Sequence, residues 1–596
     1  MKVLTESDQR KIIAMVFAQI LLGVFDLLGV LAIGLLGAIS VAGFQPNDQY
    51  NWVDSTLDRI GISSYAFQTQ TIVIATLAVV LLVGRTVLSV FFTRRIMFFL
   101  SRRGAQISAD LISRMLSQSL LFVQSRTTQE SLYAVTRGVQ IIVIEVLATA
   151  AILVSDVSLL VILAIGLFVI DPSTALGLFG VFVLIGIILH RIMNVRANLL
   201  GVKGAELNIK SNEKIVEVFS SYREAVVRNR RDYYATEIGK LRTNLADATA
   251  ELSFLPYVSK YVIETAIVLG AVILGGLQFI LHDASEAIST LAIFLAAGTR
   301  IAPAVLRIQQ GSILIRGSLG QAKPTLELIN ILGVEKAKVI YNDSELDFAH
   351  KDFKSSVELK NITFRYPGGQ KPAVNNISLS IPAGASVAIV GPSGAGKTTI
   401  IDILLGVLIP DSGSILISEQ SPHSAINKWP GAISYVPQDV VIVSGTIREN
   451  VALGYPTEIA TDDLFMRAIK IAHLENYVLG LPNGLESQVG ERGVKISGGQ
   501  RQRLGIARAM FTQPHFLVLD EATSSLDGET EAGIADSIDR LRGATTVLII
   551  AHRLSTIRKA DIVVYLSEGE IKATGTFDQL RQELPEFDYQ ATLMGL

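Results

Sequence analysis

The chain has 596 residues, 50% of them hydrophobic and only 18% charged, and its mean hydropathy is +0.45. Against the roughly 25% charged residues of a globular protein, that balance excludes a wholly soluble or disordered chain. Its 52 basic and 54 acidic residues leave a net charge of −2 with no basic excess to call for a nucleic-acid partner, and the absence of cysteine excludes disulfides, thiolate metal sites and thiol catalysis.

Residues 12–43 are almost unbroken apolar sequence interrupted by Asp26. This is far longer than the roughly 7–15 residues of a secretory signal's apolar core, so it reads as a first membrane span. A second apolar run covers 70–92 with Arg85 inside it, and a third extends from 139 to 190. The third is too long for one crossing of a roughly 30 Å hydrocarbon layer, and Asp171-Pro172-Ser173-Thr174 divides it into two spans. Runs at 255–281 and 284–305, meeting at His282-Asp283, bring the expected count to six. In the loop at 46–64, Val53, Leu57 and Ile60 share one helical face and Asp54, Ser55, Asp58 and Arg59 the other. That pattern fits a short amphipathic helix on the outer surface, or a solvated turn in which the apolar residues are incidental.

Orientation follows from Lys and Arg, because positively charged loops stay cytoplasmic. Arg94, Arg95, Arg102, Arg103 and Arg114 follow span 2, and Arg191, Arg196, Lys203, Lys210, Lys214 and further basic residues follow span 4, whereas the opposite loops carry mainly Asp and Glu. Both termini are therefore expected on the cytoplasmic side of the cytoplasmic (inner) membrane. The basic segments are polar with sparse Gly and Pro. They read as helices that continue past the bilayer and turn back as levers, or as solvated loops that only set topology.

Residues 1–332 are thus expected to form a transmembrane domain, 333–352 a linker and 353–596 an α/β nucleotide-binding domain of short strands, turns and helices. Residues 387–390 read as a buried strand running into Gly391-Pro392-Ser393-Gly394-Ala395-Gly396-Lys397-Thr398, which matches GxxxxGK[ST] in strand, loop and helix order. In such a loop Gly391, Ser393, Gly394 and Gly396 let backbone N–H groups wrap phosphate oxygens, with Thr399 next in line. Lys397 reaches the β- and γ-phosphates of ATP and the Thr398 hydroxyl binds Mg²⁺. A second buried strand at 516–519 delivers Asp520 to the Mg²⁺ and Glu521 beside it, placed to polarise an attacking water.

Between these two strands lies Ile496-Ser497-Gly498-Gly499-Gln500, and with it the chain resembles the ATP-binding cassette (ABC) family, whose signature is LSGGQ, here with Ile for Leu. Six spans followed by one cassette is the layout of an ABC exporter half-transporter, so the resemblance covers the whole chain. It implies that Tyr366 stacks on adenine, that Gln438 in YVPQD senses Mg²⁺ and couples to the membrane helices, and that Asp527 lies in the inter-subunit loop. It also implies that His552 in IAHR contacts the γ-phosphate, and that Glu491 lies in the VGERG segment typical of exporters. In that family Ser497, Gly499 and Gln500 of one subunit close over the nucleotide held by Lys397 of the other. A homodimer with two competent ATP sites is the implied assembly.

Arg85, Lys260 and Arg300 are expected toward the cytoplasmic half of their spans at similar depth. An ionisable residue at mid-bilayer costs roughly 2.5–3.5 kcal/mol on insertion scales and normally faces an interior or a cavity. The three read as a basic belt for an anionic substrate; equally, Lys260 pairs with Glu264 one turn away and the arginines snorkel to the interface. The stretches REAVVRNRRDYY, FLPYVSKYVIETA and AGTRIAPAVLRIQQ resemble the lipid-linked oligosaccharide flippase branch of ABC exporters. That resemblance implies a polyprenyl-pyrophosphate glycan as substrate, drawn from membrane lipid and held by the three cations, although Lys stands at 260 where arginine is expected. A multidrug or lipid exporter with the same engine, and a non-transporting ABC protein gated by nucleotide, are the other readings. Glu521 argues against the last.

Overall fold

The computed structural model describes the chain except residues 1–4, 43–57, 59–60, 62–64, 171, 282–283, 334–347, 457, 491–492, 523–525, 552–556 and 594–596. Some helical side chains, Arg300 among them, are also outside the description. The expected amphipathic helix with Val53, Leu57 and Ile60, and the residues Glu491 and His552, therefore lie outside the described residues. Two compact units divide the chain: Met1–Gln118 with Phe122–Val339, and Ser119–Leu121 with Ile340–Leu596.

The first unit is built of long helices. Phe67–Leu116, Pro172–Ser220 and Arg231–Leu281 contain 50, 49 and 51 residues. At about 1.5 Å per residue each is roughly 75 Å long, more than twice a hydrocarbon layer, so the helix continues from apolar into basic sequence without a break. Pro172 opens the second at a position where its missing N–H is no loss. Pairs such as Arg114 with Asp110 (2.5 Å) and Lys214 with Glu217 (3.1 Å) support the polar halves. Glu6–Ala42 and Ala284–Gln321 complete the set. Among the described residues, four stretches are long and apolar enough to cross a membrane: Gln68–Leu116, Thr128–Ile162, Val183–Ser220 and Arg231–Gly270.

The Pro172–Ser220 and Ala284–Gln321 helices approach closely because a β-carbon on Gly201 would lie 2.0 Å from the Gly317 carbonyl oxygen, so only a small residue fits there. Before the Thr149–Ile170 helix, Ile141–Ala148 is wound as a π-helix, which its composition, apolar except for Glu145, does not announce. Within it Glu145 accepts from Arg137 Nη2 at 3.1 Å and from Ser318 Oγ at 2.8 Å, tying two helices together.

The second unit contains two sheets. The antiparallel one has the order β2 (Val374–Ile381), β1 (Val357–Phe364), β4 (Ser412–Ile417). The larger has the order β5 (Ile433–Val436), β6 (Phe516–Asp520), β7 (Thr546–Ile550), β3 (Ser386–Val390), β8 (Ile562–Ser567), β9 (Glu570–Gly575). All its pairings are parallel except β8 with β9. Every residue of β3 and β6 is buried, as strands covered on both faces must be, and this is why they read as continuous apolar runs. The carboxyl ends of β5, β6, β7 and β3 lie side by side along one edge, where open α/β sheets take their ligands.

The expected linker at 333–352 is shorter at its far end. Phe348 packs edge-on against Tyr455 and Phe511, and His350, 3% exposed, meets the Thr512 carbonyl at 2.9 Å, so both belong to the cassette core. These aromatic anchors precede the first strand, where strand periodicity gives no sign of them.

Candidate nucleotide-binding site

The strand β3 ends at Val390 and the helix Lys397–Leu404 starts after a six-residue loop. Backbone geometry demands glycine in that loop: Gly396 caps the helix at φ 100°, and a β-carbon on Gly391 would stand 2.0 Å from the Leu566 carbonyl oxygen. The loop thereby brings backbone N–H groups and a helix N-terminus to one point, a natural seat for phosphate. Lys397 Nζ donates to the carbonyl oxygens of Gly391 (2.9 Å) and Pro392 (3.0 Å). Burial pushes its ammonium pKa down, against the pull of Glu521 and Asp520 nearby. Ser393, Gly394 and Thr398 are exposed on this loop, while Thr399 is buried behind it.

From β6 come the two carboxylates. Asp520 is 4% exposed and accepts from the Tyr435 hydroxyl at 3.3 Å. Glu521 follows in a left-handed backbone conformation, φ 48°, with its N–H on the Ile550 carbonyl of β7 at 3.3 Å. Its carboxylate accepts from Gln438 Nε2 at 2.8 Å, which places Gln438, just beyond β5, next to Glu521. Burial and the negative charge of Asp520 raise the pKa of Asp402, and burial first, then Asp520, does the same to the Tyr435 phenol. Negative charge is thus concentrated beside Lys397, an arrangement suited to a divalent cation. The donors are hard oxygens, Asp520 and the Thr398 hydroxyl. Hard oxygen donors of this kind suit Mg²⁺, which is held by one or two carboxylates together with phosphate oxygens.

Tyr366 is half-exposed, edge-on to Phe364 at 5.0 Å, with its hydroxyl 3.3 Å from Thr399 Oγ1. Its hydroxyl thus reaches the start of the phosphate-loop helix while the side chain stays accessible. Ser497 caps the helix Gly498–Met510: its hydroxyl accepts from the Gln500 N–H (3.2 Å), and Gln500 Oε1 accepts from the Ser497 N–H (2.8 Å). The Gly499 carbonyl accepts from Arg503 Nε at 3.4 Å. Among the described residues, no hydrogen bond or ion pair joins 497–500 to 391–399. Asp527 caps Gly528–Asp539, and the N–H and hydroxyl of Thr530 hold its carboxyl below the usual range.

Three residues at this site have no counterpart in the sequence reading. Gln502, 3% exposed, donates from Nε2 to the Glu521 carbonyl at 3.1 Å, linking the signature helix to the glutamate. Asn450, fully buried, exchanges bonds with the N–H and carbonyl of Val443. Arg508 then reaches the Asn450 carbonyl (2.9 Å) and the Val441 carbonyl (3.1 Å). The one available signal was Gln502, a polar residue at helical spacing with buried Ile506 and Ala509.

The three cations stand on three different helices. Arg85 is half-buried, Lys260 lies 3.9 Å from Glu264 on its own helix, and the side chain of Arg300 is outside the description.

Residues 374–524 match the family model described as ABC transporter. The Beta-(1-->2)glucan export ATP-binding/permease protein NdvA of Agrobacterium fabrum is 45% identical over 242 residues, 40% of this chain and 41% of that protein. ABC transporter B family member 1 of Arabidopsis thaliana is 39% identical over 281 residues, 45% of this chain and 22% of that protein. The chain thus spans less than half the length of the curated relatives it matches. The structure of a bacterial Atm1-family ABC exporter with ATP bound superposes with a TM-score of 0.77 over 99% of both chains at 22% identity, a likeness of fold. Residues 374–524 thus carry a domain like that of the ABC transporter family, and the chain as a whole has the fold of an ABC exporter.

Proposed function

We propose that this chain is an ATP-driven exporter of six spans that works as a homodimer in the cytoplasmic membrane, cassettes and termini inside, and translocates a polyprenyl-pyrophosphate-linked oligosaccharide. The observation that carries the engine is the meeting of Lys397, Asp520, Glu521 and Gln438 at one edge of the sheet. Bound there, ATP·Mg²⁺ supplies the phosphoryl bond whose hydrolysis drives transport. Lys397, Ser393, Thr399 and the loop N–H groups hold the phosphates, Thr398, Gln438 and Asp520 the metal, and Tyr366 the adenine. Glu521 orients and deprotonates the water, with His552 at the γ-phosphate. Ser497, Gly499, Gln500 and Asp527 serve the site of the other subunit.

The glycan reading is supported by the cations Arg85, Lys260 and Arg300 in apolar sequence and by a relative whose name is glucan export. Two copies would place six positive charges around one cavity, which a pyrophosphate relieves. The pairing of Lys260 with Glu264 favours a second reading, a multidrug or lipid exporter, because it neutralises one of the three. Reconstituted protein supplied with fluorescent polyprenyl-pyrophosphate glycan or with ordinary phospholipid separates them. Glycan movement that falls in each single Ala variant and vanishes in the triple variant supports the first. Glycan movement at the parent rate in the triple variant refutes the belt.

A further inference from the structure

Between the Pro172–Ser220 and Ala284–Gln321 helices, with the Thr149–Ile170 helix completing the wall, lies a cavity of about 850 Å³. That size falls in the range of small-molecule sites, roughly 300–1,000 Å³. Its lining changes along the helices. Most of it is apolar, with Val157, Leu160, Val183 and Val305 at one end; toward the other, Gln309, Ser312, Arg191 and Arg316 stand among Ile315 and Leu319.

Three groups at the polar end lack partners. Gln309 is only 5% exposed, yet its Nε2 makes no hydrogen bond. A buried amide donor left unsatisfied is a cost that a fold normally avoids, and it marks a place where something else completes the bond. Its neighbour Asn194, 6% exposed, is satisfied within the protein, with Nδ2 2.7 Å from His190 Nδ1 and 3.0 Å from Ser312 Oγ, so Gln309 is the donor left over. Arg191 and Arg316 are exposed, and among the described residues neither guanidinium has a carboxylate partner. A neutral ligand would leave both cations unanswered, and a free anion would leave the apolar end unfilled.

We propose that this cavity is a binding site for an anionic membrane phospholipid. Its phosphate lies between Arg191 and Arg316 with a hydrogen bond from Gln309, and its hydrocarbon chain runs along Leu153, Val157, Leu160 and Val183. Arg191 directly follows span 4 and Arg316 lies eleven residues past span 6, both on the side expected to face the cytoplasm, so the headgroup sits at the surface of the inner leaflet. The proposal rests on the membrane-spanning part of the functional reading alone and holds whichever cargo is exported.

The full-length protein would be reconstituted in nanodiscs of phosphatidylcholine with a minor share of phosphatidylglycerol, then released into mild detergent for native mass spectrometry of the retained lipid. The parent keeps phosphatidylglycerol in preference to phosphatidylcholine, and inorganic phosphate does not displace it. In the double variant Arg191→Gln, Arg316→Gln, retention of phosphatidylglycerol falls about tenfold or more while phosphatidylcholine is unchanged. Gln309→Leu gives a smaller loss. Ile187→Trp, which narrows the cavity along the hydrocarbon path, lowers retention of the lipid, and undiminished ATP binding in each variant shows that the chain is folded. An equal ratio of the two lipids in parent and double variant overturns the proposal, as does displacement by inorganic phosphate, which would make the site one for a free anion. Cation-dependent retention without any glycan transport leaves this site standing and removes the glycan reading; glycan transport with retention indifferent to the variants removes this site alone.

Discussion

Glu521 sits in a left-handed conformation (φ 48°), which costs a non-glycine residue roughly 1–3 kcal/mol and persists only where the surroundings enforce it. Here the enforcers are the Ile550 carbonyl, Gln502 and the Gln438 amide. Glu521→Gln keeps that geometry and removes the base, so it is expected to bind ATP, trap a closed dimer and lose roughly 10²–10⁴-fold in hydrolysis, read as phosphate release. Lys397→Ala removes a charge-assisted contact of about 1.5–3 kcal/mol, so ATP affinity by nucleotide titration should fall roughly tenfold to a hundredfold. Tyr435→Phe removes only the hydroxyl on Asp520 Oδ2. Its expected effect is an increase of about three- to tenfold in the Mg²⁺ concentration needed for half-maximal ATPase, with ATP affinity nearly unchanged; an unaltered Mg²⁺ dependence would show that the phenol does not position the aspartate.

Between the loop after β5 and the signature helix Gly498–Met510, the connection runs through one buried asparagine. Asn450 fixes Val443 and accepts from Arg508 Nη2 at 3.3 Å, while Arg508 grips Val441. Asn450→Ala leaves those buried groups unsatisfied and should destabilise the cassette by about 1–3 kcal/mol, read from denaturant midpoints of the whole protein. The cap of Gly528–Asp539 gives a pH signature. The Thr530 N–H and hydroxyl depress the Asp527 pKa in the folded state, so its stabilisation is complete above the unfolded value near about 3.9 and is lost as pH falls through the lower, folded one. Asp527→Asn should therefore show a smaller acid loss of thermal midpoint below about pH 4 than the parent. Strands β3 and β6 were legible because double-faced burial leaves an unbroken apolar run, and the phosphate loop because its glycines answer a backbone demand. Asn450 and Arg508 were not, because their partners are main-chain groups at Val441 and Val443, which residue type does not encode. The π-wound Ile141–Ala148 was equally hidden, since its composition suits an α-helix just as well.

At the scale of the molecule, long helices cover much of the sequence that reads as spans, and among the described residues four stretches are apolar enough to cross a membrane. The proposed homodimer makes a specific demand, because each ATP would lie between the phosphate loop of one chain and the signature of the other. Lys397→Ala and Ser497→Arg chains should each be inactive alone, and ATPase should partly return when the two are co-assembled, since one composite site is then intact. No recovery of ATPase on co-assembly would show that each chain closes its own site. The most direct measurement of the whole account is ATP-dependent translocation of polyprenyl-pyrophosphate glycan in proteoliposomes, comparing the parent with Glu521→Gln. The account predicts glycan movement by the parent only with ATP·Mg²⁺ and none by the variant; movement without ATP, or equal movement by both proteins, would contradict it.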